Sequence, residues 1–498
     1  MDTVSRKGFL QAAGAMGAMG MAGLSGMFGT PQVVFADEAD DKDASQGKDG
    51  EQVDFAAREK EAAEAEGRPM DPIAYVTDKT RDELLELLRK EDEITEDYVT
   101  PSGKVIPAVY QRMRNRVNKI GYGVGTIIAD SDTAWDVYMN WVSPEEAEVF
   151  CELPTFKWFT AFDAAAESGR DEDEIRNVCE SMSERGLMWR YVRAGVPYYF
   201  LMCQIPGYWE VGQMWQCANS TTEEAKKFIQ DCDNVYGSTQ DKIANMMQPR
   251  SCLHVHPVSR DVVEGDLLPY TDWEAHIDHH EIFCVAPCQC RQKQETLNDG
   301  ERACKDEHPL MTCTSFGEMA EYLIEIGVGK QLTREEARAQ IQSNIDHGLV
   351  IEANHSKAGG TLCACHSDCC LFLGAVVASQ GKMPCLEYYS DYTLNYYKDS
   401  CLQCGACVDR CPMKAITMGD DGYPTTSNLC VRCGQCGLVC PTKSRTLSPK
   451  KPWETFELAD DLVADHAELA MIRQVQGVLV DFDGSSDGQD RGDSSKDE

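Results

Sequence analysis

Cys401, Cys404, Cys407 and Cys411, closed by Pro412, share one spacing with Cys430, Cys433, Cys436 and Cys440, closed by Pro441. The repeated pattern is Cys-x2-Cys-x2-Cys-x3-Cys-Pro. Two-residue steps let three sulfurs converge from one tight loop, and thiolates are soft ligands that select iron or zinc. Nothing constrains this chain more, because two loops must close around metal rather than around hydrocarbon.

The runs resemble the ligand pattern of bacterial two-cluster ferredoxins over about residues 386–446. A pair of zinc knuckles also uses thiolate quartets, but the paired Cys-Pro endings mark the iron–sulfur pattern. The resemblance implies two [4Fe–4S] clusters, electron transfer, and a crossover in ligation. One cluster would take Cys401, Cys404, Cys407 and Cys440; the other would take Cys430, Cys433, Cys436 and Cys411. Between the runs, Ala415 to Met418 reads as a strand and Gly419 to Gly422 as a turn.

A second constellation precedes this module. Cys288 and Cys290 sit in Pro-Cys-Gln-Cys-Arg, Cys304 and Cys313 follow, and a dense block holds Cys363, Cys365, Cys369 and Cys370. Two helices are expected between them, Phe316 to Ile326 and one capped at Thr333 that ends at His347, then a strand over 349–352. Cys369 and Cys370 are adjacent and point in different directions, so they cannot both serve one cubane. Cys288, Cys290, Cys363 and Cys365 form the convergent set, pinched from two loops, with Cys304, Cys313 or Cys369 as substitutes or as ligands of a second site. This order resembles a loosely characterised group of bacterial and archaeal iron–sulfur proteins over about residues 140–446. His366 and Asp368 stand where that group often has further cysteines. A third iron–sulfur centre is the expectation, and Arg291 is placed to bond its sulfurs, a substrate anion or a carboxylate. His254, His256, His276, His279 and His280 also gather, with His276 and His280 on one helix face. No carboxylate pattern completes a metal site with them, so they read as surface or capping residues.

The net charge of −36 excludes a nucleic-acid surface and favours a redox partner that docks through a basic face. Arg6 and Lys7, a weakly apolar stretch from Ala12 to Met27, and Val34-Phe35-Ala36 resemble a twin-arginine export signal cleaved after Ala36, with Lys7 in the second arginine's place. That resemblance implies a protein exported folded, with its cofactors already inserted. No later segment has the ~18 consecutive apolar residues of a membrane span. The 24 cysteines are too closely spaced for conventional disulfides, and cluster ligation accounts for them better.

The resulting expectation is an α+β chain. It comprises a leader (1–36), an acidic disordered linker (37–70), a helical connecting region (71–140), a winged-helix-like domain (141–210), a cysteine-rich α/β middle domain (211–385), the ferredoxin-like domain (386–446), and a C-terminal helix with an acidic tail (447–498). The winged-helix reading rests on a helix started by Ser143-Pro144-Glu145-Glu146, helices near 156–168 and from Asp171, and strands over 187–192 and 198–202. The acidic Asp171 to Glu174 would repel phosphates, although Arg176, Arg185, Arg190 and Arg193 lie close by. Gly121 to Gly125 reads as a turn. The leading function is exported electron transfer. A catalytic oxidoreductase with its active site in the middle domain comes second; reductive dehalogenases share the plan of leader and C-terminal clusters, though no motif here marks a corrinoid pocket. A redox-sensing winged-helix regulator is third.

Overall fold

Short runs of alternating side chains between residues 253 and 365 pair into one six-stranded sheet, the central layer of the computed structural model. The structure describes residues 53–90, 93–120, 132–203, 207–236, 249–303 and 305–475. The leader, the Gly121–Gly125 turn, Cys304 and the acidic tail lie outside them.

The strands are β1 (Leu253–His256), β2 (Phe283–Pro287), β3 (Met311–Phe316), β4 (Lys330–Leu332), β5 (Val350–Asn354) and β6 (Thr361–Cys365). Their spatial order is β1-β5-β6-β3-β2-β4, with every pairing antiparallel. The α/β expectation for this region is thereby corrected: parallel strands need crossover helices, whereas β5 and β6 return directly on one another.

Side chains alternate across a strand, so register decides which residues meet. Val255 and Cys363 both lie opposite Glu352, Cys365 lies opposite Val350, and Ala286 opposite Cys313. The other face carries Phe283, Phe316, Ile351, Ala353, Leu362 and Ala364, packed on Ile341 and Ile345 of helix Arg334–Asp346. Burying each such large aliphatic or aromatic chain contributes about 1.5–3 kcal/mol. Cys-x-Cys on β6 therefore presents both thiols to one face.

His254 and His256 are 1% and 2% exposed, and His276 is 7% exposed. The surface reading of these three is corrected. His254 Nε2 lies 3.1 Å from Asp391 Oδ2, and His276 Nε2 lies 3.0 Å from the Tyr270 carbonyl. Helix Trp273–His279 stops before His280, so His276 and His280 do not share a helical face.

Reciprocal capping boxes start helices Arg81–Arg89, Pro144–Glu152 and Arg334–Asp346, with Thr80/Glu83, Ser143/Glu146 and Thr333/Glu336 as the pairs. Helices Ala161–Ser168 and Glu172–Glu184 follow the second of these, then strands Trp189–Arg193 and Val196–Phe200. The middle helix begins later than expected because Phe156 takes φ 56° and Thr160 caps the helix instead. Ala194 and Gly195 both adopt positive φ, 53° and 81°, as a tight hairpin turn requires. Arg176, Arg185 and Arg190 are committed to Glu172, Glu146, and the pair Glu180 and Glu325. Among the described residues no helix is long and apolar enough to cross a membrane.

The acidic linker is also corrected in part. Residues Phe55–Glu66 form a helix in which Ala63 is fully buried and Glu59 binds Arg68. Met70, also fully buried, packs with Tyr388 and Phe456, and its amide donates to the Thr455 carbonyl at 2.9 Å. A few apolar contacts suffice to order a segment whose composition is otherwise that of solvated chain.

The C-terminal helix Leu462–Val475 is tied down by charge. Arg250, with no exposed surface, bonds Asp465 at 2.8 Å and also Glu468. Replacing Arg250 by Ala leaves a buried carboxylate unpaired, so the denaturant midpoint is expected to fall by the equivalent of about 3–5 kcal/mol.

Candidate metal centres

Both C-terminal cysteine runs fold as the same loop. Gln403, Gly405 and Lys414 take positive φ (58°, 79°, 51°), and Arg432, Gly434 and Lys443 repeat this at equivalent places (61°, 86°, 53°). Left-handed backbone costs a non-glycine residue about 1–2 kcal/mol, so four such side chains mark loops wound for a purpose. The winding turns amides toward sulfur. Gln403 N is 3.4 Å from Cys401 Sγ, Ala415 N 3.3 Å from Cys411 Sγ, and Ser444 N 3.2 Å from Cys440 Sγ. At Gly434 a Cβ would stand 2.8 Å from the Val262 side chain, so that close approach needs glycine.

Strands Tyr392–Tyr396 and Arg445–Pro449 pair antiparallel and close the module, with hairpin Ile416–Met418/Pro424–Thr426 between the runs. Two cavities of about 330 Å³ result. Cys401, Cys404, Cys407 and Cys440 line one; Cys411, Cys430, Cys433 and Cys436 line the other. Each fourth cysteine thus stands with the other run's first three. Four thiols around a small cavity, with backbone donors aimed at sulfur, fit an iron–sulfur cubane. Burial raises the Cys440 thiol, but hydrogen bonds from Ser444 and Thr442 outweigh it and bring the thiol to about 7, which eases the proton loss that iron ligation needs.

The middle cysteines converge more closely than the spacing alone foretold. Thiol contacts run from Cys288 to Cys290, Cys370, Cys365, Cys363 and Cys313. The two Cys-x-Cys pairs come from a helix start and a strand rather than from loops: Cys288 caps helix Gln289–Leu297, and Cys363 and Cys365 lie on β6. Cys370 caps the apolar helix Leu371–Ala378. Cys288 and Cys370 therefore stand at two helix N-termini, where the nearby Arg291, Leu371 and Leu373 amides favour thiolate at Cys288, Cys290 and Cys370. Contacts from Cys313 and Cys365 hold the Cys363 thiol well below its ordinary value. Contacts from Cys290 and Cys365 also lower the Cys370 thiol. Cys369, the expected substitute ligand, stays apart and its neighbour Cys370 joins the set instead; burial pushes the Cys369 thiol to about 12. Arg291, fully buried, donates to Thr312 Oγ1 at 2.7 Å and the Ala364 carbonyl at 3.1 Å, and its charge faces Cys288, Cys369 and Cys365.

These thiols form one wall of a cavity with about 1040 Å³ of non-atom space, open in part to solvent. Trp189, Met202, Val211, Met214 and Phe372 make it largely apolar. Sequence reasoning missed two carboxylates near the thiols: Glu210, in the cavity lining, and Glu352, within 4.8 Å of the Cys365 and Cys370 sulfurs. Burial raises Glu210 to about 8, its carboxyl accepting from Gly207 N at 2.7 Å. Burial also raises Glu352 to about 7, and Tyr389 Oη donates to it at 2.6 Å. Alternation could have flagged Glu352, a lone acid in an apolar strand; no local signal marks Glu210.

A family model for the 4Fe-4S dicluster domain matches residues 382–444. A ferredoxin of Acetoanaerobium sticklandii is 56% identical over 32 residues, which are 6% of this chain and 52% of that protein. The chain thus spans about half the length of this curated relative. No solved structure matches. The C-terminal module is a ferredoxin-like iron–sulfur module that binds 4Fe-4S and carries electrons, and a bound cluster supplies one-electron redox chemistry.

Ser444→Ala removes a hydrogen bond to the Cys440 sulfur, which lies 3.2 Å from the hydroxyl. Such bonds favour the more negative, reduced cluster, so its potential is expected to fall by on the order of tens of millivolts in a redox titration followed by EPR.

Proposed function

We propose that this chain is an exported iron–sulfur electron carrier in which two C-terminal [4Fe–4S] clusters exchange electrons with a third, cysteine-ligated centre on the sheet. The convergence of Cys288, Cys290, Cys313, Cys363, Cys365 and Cys370 carries the reading. Thiols in mutual contact beside two helix N-termini are arranged for an anionic metal cluster. A direct connection supports the relay: Ser367, between Cys365 and Cys370, donates its hydroxyl to the Pro412 carbonyl at 2.7 Å, and Pro412 follows Cys411. The net charge of −36 favours a donor or acceptor that docks through a basic surface. The pairing of Arg176, Arg185 and Arg190 with carboxylates weighs against phosphate binding by the three-helix and hairpin region. Export rests on the leader.

A second reading follows from space. The middle cavity is about 1040 Å³ against about 330 Å³ for each ferredoxin cavity, so a cluster would leave room for another molecule. Apolar walls and a Glu210 carboxyl held protonated near neutrality suit the reduction of an apolar organic acceptor, with Glu210 supplying a proton.

Iron and sulfide analysis of the anaerobically purified chain tests the first reading. About twelve of each per chain are expected, falling to about eight in Cys363→Ser/Cys370→Ser with the ferredoxin EPR signals retained. About eight in the unaltered protein would remove the third centre. For the second reading, the reduced protein is expected to be reoxidised faster by apolar quinones than by charged acceptors of equal potential. Glu210→Gln should slow that step and abolish its pH dependence near 8, measured by stopped-flow bleaching of the clusters.

A further inference from the structure

The loop that carries Cys365 and Cys370 also presents nitrogen and oxygen donors. His366 Nδ1 lies 2.7 Å from Asp368 Oδ1, and the His308 ring stands 4.4 Å from that of His366, centroid to centroid. One donor atom from each of the three residues falls within 4.8 Å of the others. His308 is 5% exposed, and its Nδ1 has no hydrogen-bond partner. A buried ring nitrogen left so forfeits about 1–3 kcal/mol, which a bound cation would restore. The His366 and Asp368 side chains keep 12% and 14% of their surface, enough for a cation to enter.

The backbone fixes the set in place. The His366 carbonyl accepts from the Cys369 and Cys370 amides at 3.2 and 2.9 Å, and the Ser367 bond to Pro412 pins the same turn. His308 is held where its carbonyl accepts from Arg302 and where the Cys288 amide bonds the nearby Leu310 carbonyl at 2.8 Å. Arg291 and Arg302 are the opposing charges at His308. Arg291 is occupied by Thr312 and the Ala364 carbonyl, and Arg302 by Glu295.

We propose that His308, His366 and Asp368 bind one divalent transition cation, zinc(II) or iron(II), in a mononuclear site distinct from the iron–sulfur centres. Two imidazoles and one carboxylate are a borderline donor set that suits these ions; magnesium and calcium prefer all-oxygen shells, and copper(I) prefers thiolates. Three protein ligands leave a coordination position for water, the arrangement of a reactive rather than a purely structural site. The site requires no particular cluster at the neighbouring thiols.

The test uses the full chain, purified anaerobically, washed with chelator, and titrated with zinc(II) and separately with iron(II), with acid-labile sulfide measured throughout. One cation per chain beyond the sulfide-matched iron is expected. Zinc-edge absorption should show only nitrogen and oxygen neighbours at about 2.0–2.2 Å. His308→Ala and the near-isosteric Asp368→Asn should each weaken binding at least about 100-fold with sulfide unchanged, since even residues behind the ligands cost 10–100-fold. Sulfur neighbours at about 2.3 Å would overturn the proposal. Wild-type affinity in both variants, or loss of sulfide together with the cation, would overturn it as well.

Discussion

Thiols in contact cannot all ionise unless positive charge enters among them. Two like charges about 4 Å apart repel by about 4 kcal/mol even at an effective dielectric constant of 20. In the chain from Cys288 to Cys313, low thiol pKa values at Cys363 and Cys370 depend on neighbours that keep their protons. Backbone dipoles supply the rest of the compensation: two helix N-termini at the middle thiols, and inward amides at Cys401, Cys411 and Cys440. The surrounding fold has to hold these groups where such compensation is possible.

It does so by packing the ferredoxin loops directly on the sheet and its helices. The Val258 amide bonds the Cys433 carbonyl at 3.0 Å, and Gln435, fully buried, donates to the Ile345 and Leu349 carbonyls. Arg410, beside Cys411, reaches the Ile345 and Asp346 carbonyls at the end of helix Arg334–Asp346. Tyr389, from the segment that the dicluster family covers, donates to Glu352 Oε1 next to Cys365 and Cys370. The module and the sheet thus share polar contacts. That arrangement suits electron exchange between them better than a flexible tether would.

Much of this was legible locally. The capping boxes at Thr80, Ser143 and Thr333 start helices where Ser or Thr stands three residues before Glu, because the bonds involved span only those residues. The hairpin between the cysteine runs follows from Gly419 to Gly422 for the same reason. The failures were non-local. The helix at Phe55–Glu66 is ordered by Tyr388 and Phe456, far along the chain, and the rings of His254 and His256 are covered by Asp391, His355 and His276 from other elements.

The sequence by itself determined the C-terminal module, since eight ligands at fixed short spacings and the glycines between them carry its geometry within each loop. It also determined that the thiols of Cys369 and Cys370 diverge. Tertiary structure alone decided that Cys313 and Cys370 join Cys288, Cys290, Cys363 and Cys365 at one cavity with Glu210, that Glu352 stands against Cys365 and Cys370, and that His308 meets His366 and Asp368. These groups sit on separate strands and helices, and antiparallel register and helix docking set their convergence; no local spacing encodes either.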